Sequence, residues 1–217
     1  MTRPVAFARR MGHGAPMTDV LDLTDGYYDL PKGKIVAVVT YLDMTEKPPA
    51  RPVPDQPDLT LVRHETPQVD WYRNLFRTVG EDWLWFSRLH LSDADLSAMI
   101  TDPKVEVYSV RKGDQDLGLL ELNFRNPNVA ELGYFGIHSS LIGNGTGRWL
   151  MSQAIDIAFA KPIERFFLHT CTLDSPQALA FYERSGFRPY KRAIEVLTDP
   201  RTNGMLPNTA APHIPLL

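Results

Sequence analysis

The spacing of apolar residues changes from segment to segment along this chain, and each spacing predicts an element. Ile35-Val36-Ala37-Val38-Val39-Thr40-Tyr41-Leu42 is an almost unbroken apolar run of strand length behind the turn Asp29-Leu30-Pro31-Lys32-Gly33-Lys34. It reads as a buried strand in a hairpin leading the main domain. Leu59 to Arg63 is a short strand. Val69, Tyr72, Leu75, Phe76 and Val79 then recur at helical spacing until Gly80 interrupts them. Ser92, followed by acidic residues, caps a short helix to Ile100. Strands are expected at 105–111, 117–124 and 129–137, a helix at 145–160 and a strand at 165–173. Ser175-Pro176 opens another helix, which Gly186 ends with Phe187 closing the cap. A last strand covers 190–197. This order predicts an α+β fold, a mixed β-sheet flanked by helices.

Proline sets the outer boundaries. Residues 47–57 hold five prolines in eleven positions, too many for a ladder or helix, and predict an extended linker. Residues 1–16 read as a loose N-terminus and 17–58 as an N-terminal hairpin extension with its linker. The main domain is placed at 59–197, and 198–217 form a proline-rich tail.

Composition narrows the function. The 217 residues are 43% hydrophobic and 23% charged, ordinary for one globular domain. A net charge of −3 and pI near 6.1, with no concentrated run of Lys and Arg, exclude a nucleic-acid face. Arg3, Arg9 and Arg10 read as a solvated end. A single cysteine, Cys171, excludes a disulfide framework and a multi-cysteine metal site, and no metal is expected. There is no signal-peptide core and no run of 18 apolar residues, so the default expectation is a cytoplasmic protein that does not span a membrane.

Ile142-Gly143-Asn144-Gly145-Thr146-Gly147 joins a strand to a helix. Glycines let successive backbone N–H groups converge, and a helix N-terminus favours an anion, so a diphosphate is the natural occupant, with Arg148 adding charge. The spacing is wrong for the dinucleotide fingerprint, and the Lys-Ser/Thr pair of an ATP loop is missing, which counts against a nucleotide-dependent oxidoreductase or kinase.

Two stretches together carry a family resemblance. The loop and the strand before it, Ala130-Glu131-Leu132-Gly133-Tyr134-Phe135-Gly136-Ile137, resemble the central Q/R-x-x-G-x-G/A motif of the GNAT superfamily of N-acetyltransferases. Ser175 to Phe187 resembles that family's N-x-x-A-x-x-x-Y-x-x-x-G-F. The resemblance spans roughly residues 59 to 197 and implies a splayed sheet that binds acetyl-CoA as co-substrate. Ile142 stands where the family prefers Gln or Arg, and Ser175 replaces Asn.

The resemblance implies roles. Glu131 would accept the proton of the attacking amine, on a strand face expected to include Gly133, Phe135 and Ile137. Tyr182 would protonate the leaving thiolate and titrate near the ordinary value of about 10. Phe135, Gly136 and Ile137 would pair with the pantetheine arm, a bulge at Gly136 opening that edge. Gly143, Asn144, Gly145, Thr146, Gly147 and Arg148 would hold the diphosphate, with Ser175 nearby. Glu81, Asp82, Trp83 and Trp85 offer carboxylates and aromatics to a cationic acceptor, although the same residues suit a helix end with core aromatics. His169 and Cys171 read as core rather than a nucleophile pair. The expected partner is a small-molecule or peptide amine, and the leading extension could cover the site or join two copies as a homodimer. The alternative function is a non-catalytic acyl-CoA-binding module.

Overall fold

The computed structural model describes residues 23–217. The N-terminal segment at 1–16, its three arginines and the start of the expected extension lie outside the described residues. Seven strands, β1 (Lys34–Met44), β2 (Leu59–His64), β3 (Val105–Lys112), β4 (Gln115–Asn123), β5 (Val129–Ile137), β6 (Arg165–Cys171) and β7 (Arg188–Thr198), form one sheet in the order β2-β3-β4-β5-β6-β1-β7. Four helices, α1 (Val69–Gly80), α2 (Asp93–Ile100), α3 (Thr146–Phe159) and α4 (Ala178–Arg184), flank it. The expected mixed α+β, splayed sheet is present.

The apolar stripes explain the layers. Tyr72, Leu75, Phe76 and Val79 of α1 pack with Leu96 and Ile100 of α2 on one face of the sheet. Leu150, Met151, Ala154 and Ile155 of α3 pack on the other face with Phe166 and Phe187. Ser92 caps α2, its side chain accepting from Asp95 N at 3.1 Å. At the end of α4, Phe187 N donates to Tyr182 O at 3.1 Å and Gly186 N to Glu183 O at 3.0 Å. Gly186 takes φ +108°, the left-handed conformation that such a cap requires. Helix α4 starts at Ala178 rather than Pro176, preceded by a turn in which Ala178 N donates to Ser175 O at 2.8 Å.

The leading hairpin is not formed. Residues 23–33 carry no strand, and β1 is an interior strand, antiparallel to β6 on one edge and to β7 on the other. Its near-continuous apolar run requires cover on both faces, which an appended hairpin would not supply. Five strand spacings, about 24 Å, then separate β1 from β2, and the proline segment between them crosses the α3–α4 face as a strap, with Lys47 paired to Asp156 and Pro48 and Pro54 close to Gly186 and Gly145.

The C-terminal tail is folded as well. Leu206, Ala210 and Ala211 are buried against Ile35 and Ala37 of β1 and Leu84. Within the tail, Arg201 and Asp199 are only 1% and 3% exposed and form a 2.7 Å ion pair. The spare donors of Arg201 reach the carbonyls of Ala210 at 3.1 Å and Ile214 at 2.8 Å.

Candidate active site

Strands β5 and β6 are parallel and pair only over Val129–Glu131 and Arg165–Phe167. Beyond Glu131, β5 stays with β4 while β6 stays with β1, and the two diverge into a wedge. Among the described residues the β6-facing edge of β5 from Gly133 to Ile137 therefore has no strand partner. The bulge lies at Gly133, not Gly136: Glu121 pairs with Tyr134 and Leu122 with Leu132, leaving Gly133 as the extra residue. Gly136 has another purpose. A Cβ there would lie 2.4 Å from Val79 and 3.0 Å from Trp85.

The bulge alters the expected alternation. Ala130, Leu132, Phe135 and Ile137 face the α3 side, whereas Tyr134 packs on the α1 side. Glu131, between Ala130 and Leu132, thus turns to the α1 face, and Phe135 and Ile137 do not share its side. Its Oε2 accepts from Asn123 Nδ2 at 2.9 Å. Nearby, Glu121 is buried and accepts from the Tyr72 hydroxyl at 2.5 Å and Arg88 Nη2 at 2.6 Å. Burial, then the Glu121 charge, holds the Tyr72 hydroxyl well above its ordinary value. Burial alone would lower Arg88, but Glu121 beside it keeps it well above. The sequence reading missed this ion pair. The available signal was a lone carboxylate in the otherwise apolar run Leu119-Leu120-Glu121-Leu122.

Tyr182 sits on the opposite face, edge-on to Phe135 at 6.2 Å between ring centroids and to Phe187 at 6.2 Å. Burial, reinforced by the charge of Asp174, raises its pKa, so the hydroxyl stays protonated well beyond pH 10. This corrects the expectation of ordinary titration. Asp174 also accepts from Thr170 Oγ1 at 2.7 Å and Cys171 N at 2.9 Å, and from Trp85 Nε1 at 3.3 Å. Trp85 thereby reaches from the α1 side of β5 to the end of β6. The wedge lies between faces that carry Glu131 and Tyr182.

The glycine loop closes the far end of β5. Gly143 and Gly145 take φ +91° and +82°. The first helical donor is Trp149 N, bonded to Gly145 O at 3.0 Å; among the described residues no acceptor takes the N–H groups of Gly143 through Arg148. Six amides at a helix N-terminus thus remain available to an anion. The strap meets this loop from another side. Gln56 Nε2 donates to Asn144 O at 2.9 Å, Thr146 Oγ1 donates to Gln56 Oε1 at 3.3 Å, and Pro54 lies where a Gly145 Cβ would be, at 2.4 Å.

The four acceptor candidates do not converge. Glu81 and Asp82 line a shallow surface pocket with Arg77 and Thr78. Trp83 packs against His213 of the tail at 5.8 Å, and only Trp85 turns into the wedge. Ser175 bonds Gln177 Oε1 at 2.6 Å just after Asp174. Among the described residues there is no group of three or more His, Cys, Asp or Glu placed to hold a metal, and no helix long and apolar enough to cross a membrane.

The sequence profile of the Acetyltransferase (GNAT) family matches residues 68–187. Comparison with curated proteins gives no match. Among solved structures, a putative GNAT acetyltransferase from Novosphingobium aromaticivorans is 20% identical with a TM-score of 0.51, over 78% of this chain and 68% of that one. A GCN5-related N-acetyltransferase from Sphaerobacter thermophilus is 14% identical with a TM-score of 0.54, over 75% of this chain and only 51% of that one. An aminoglycoside acetyltransferase from an uncultured soil metagenomic sample is 15% identical with a TM-score of 0.50, over 59% of this chain and 88% of that one. The chain thus spans about half the length of the Sphaerobacter protein. At these identities the likeness is one of fold.

Proposed function

We propose, from the premise that this chain belongs to the Acetyltransferase (GNAT) family, that it transfers an acetyl group from acetyl-CoA to a primary amine by direct attack. The observation that carries the reading is the wedge: an open β5 edge ending at unpartnered loop amides, with Glu131 and Tyr182 on its two faces. A diphosphate on the amides of Gly143 to Arg148 directs the pantetheine back along Phe135–Ile137, whose free backbone groups pair with it. Acetyl-CoA is then a co-substrate, and the setting is the cytoplasm.

The chemistry follows from proton balance. An alkylammonium has an ordinary pKa of about 10, so it must lose a proton before its nitrogen can attack. Glu131 accepts that proton, directly or through water. The nitrogen bonds to the acyl carbon and backbone N–H groups of the open edge stabilise the oxyanion; as the carbon–sulfur bond breaks, the thiolate takes the Tyr182 proton, and the second proton of the nitrogen, lost through water, returns to the Tyr182 oxygen. Direct attack is favoured because the Cys171 thiol, pushed up to about 11 by burial and by Asp174, stays protonated at neutral pH. His169, expected in the core, is instead exposed on β6, its ring centroid 5.7 Å from that of Tyr41. The aminoglycoside-acetylating fold neighbour places aminoglycosides first in an acceptor panel, ahead of polyamines, amino acids and peptides.

The test is thiol release against pH for wild type, Glu131→Gln and Tyr182→Phe with one saturating amine. Glu131→Gln should lose roughly 100-fold at neutral pH and recover partly in alkali, since general-base catalysis contributes on that scale. Tyr182→Phe should lose turnover at every pH. Because Tyr182 is held protonated, the wild type should show no fall near pH 10. Wild-type turnover in Glu131→Gln at neutral pH removes Glu131 as the base. Binding of acetyl-CoA without thiol release with any amine favours the alternative, a non-catalytic acyl-CoA-binding module.

A further inference from the structure

The strap does more than connect two strands. Together with one side of α3 it borders a half-open cavity of about 130 Å³ whose lining includes Lys47, Arg51, Arg148, Met151, Ile155 and Asp156. Three cations against one carboxylate leave a charge of +2 at neutral pH. Asp156 is committed to Lys47 at 2.7 Å, and among the described residues neither Arg51 nor Arg148 forms an ion pair. Among the described residues the Arg51 guanidinium bonds a neutral group, the Arg184 carbonyl. The floor is apolar, made by buried Met151 and Ile155 beneath strap prolines.

The position of this cavity identifies its occupant. Arg148 lies in the first turn of α3, next to the unpartnered amides, so the cavity begins where a bound diphosphate ends. The strap is not a plug in the anion cradle: Gln56 takes a carbonyl and a hydroxyl of the loop and leaves its N–H groups unpaired. Its close approach is built into the chain. Pro54 rests where a Cβ of Gly145 would lie and Pro48 within 3.1 Å of one on Gly186, and both glycines have left-handed φ.

We propose that the strap and α3 form a subsite for the phosphorylated nucleoside end of CoA, with Arg51 and Arg148 holding the ribose phosphate over the Met151–Ile155 floor. A phosphate monoester carries close to two negative charges at neutral pH and suits paired guanidiniums, while the flat base lies on the apolar surface. The inference rests on the acyl-CoA reading above and adds to it that residues outside the family-matched region read the donor.

The experiment is calorimetric titration of CoA and 3′-dephospho-CoA into wild type, Arg51→Ala and Arg51→Lys. Wild type should bind CoA about tenfold more tightly than the dephospho form, the size of one charge-assisted contact. Arg51→Ala should cut that preference to about twofold or less while leaving dephospho-CoA affinity unchanged, and Arg51→Lys should keep most of it. Equal affinities in wild type, or equal weakening of both ligands in Arg51→Ala, would overturn the subsite while leaving the acyl-CoA reading intact. If neither ligand binds wild type, the acyl-CoA reading fails, and the subsite with it.

Discussion

Residues 47–57 and residues 199–217 have much the same composition, rich in proline and poor in long apolar runs, yet they are held in different ways. The tail has a core of its own: Leu206, Ala210 and Ala211 are buried, and a sealed Asp199–Arg201 pair ties its carbonyls together. The strap buries no large side chain. It is held by Gln56, by proline contacts on two glycines, and by a Lys47–Asp156 pair whose members are 52% and 53% exposed. Exposed pairs of that kind contribute little. Proline forbids regular hydrogen-bond ladders but not packing, and what differs is whether apolar groups are available to be covered. The tail is thus a structural closure of the β1 face, while the strap lies on the surface with few buried contacts of its own.

The largest expected effect breaks the tail. Arg201→Ala leaves the Asp199 carboxylate and the Ala210 and Ile214 carbonyls unpaired in the interior, a loss of about 3–5 kcal/mol in unfolding free energy. Denaturant melts measure it, and a loss below about 1 kcal/mol would mean the tail is marginal to the fold. Hydrogen bonds from Arg201 depress the Asp199 pKa below its ordinary 3.8. The pair therefore stabilises the protein above that value and loses its effect as pH falls through the folded pKa. Arg201→Ala should accordingly flatten the acid limb of stability.

Gly145→Val attacks the strap side instead. At φ +82° a β-branched residue is strained by about 1–2 kcal/mol, and its Cβ meets Pro54 at 2.4 Å. The protein should still fold cooperatively but bind CoA at least tenfold more weakly. Unchanged binding in a folded variant would remove this loop from the cofactor site.

The smallest effect is a gain. Ile142 is 60% exposed, so Ile142→Arg disturbs no core. It should add one contact to the diphosphate, about 1 kcal/mol of binding. Titration with CoA that shows a loss would place the side chain away from the phosphates.

Much of this was legible in the residues themselves. Helical spacing in α1, the Gly186–Phe187 cap of α4 and the glycine loop before α3 are each fixed by steric rules acting within a few positions, so local sequence determined them. The pairing partners of β1 were not legible. Adjacency in sequence favoured a hairpin, while β6 and β7, distant in sequence, take the two edges of β1, and its apolar side chains are covered by residues as distant as Leu206 and Ala210. Glu131 was identifiable as a residue but its direction was not, because an inserted Gly133 reverses the alternation and a bulge is visible only against the partner strand. The strap's course over Gly145 and Gly186 followed from that same exchange of strands. Once β1 sits five strands from β2, the connecting segment must cross one face of the sheet; it takes the α3–α4 face, and glycine is the residue that lets a proline ring come that close.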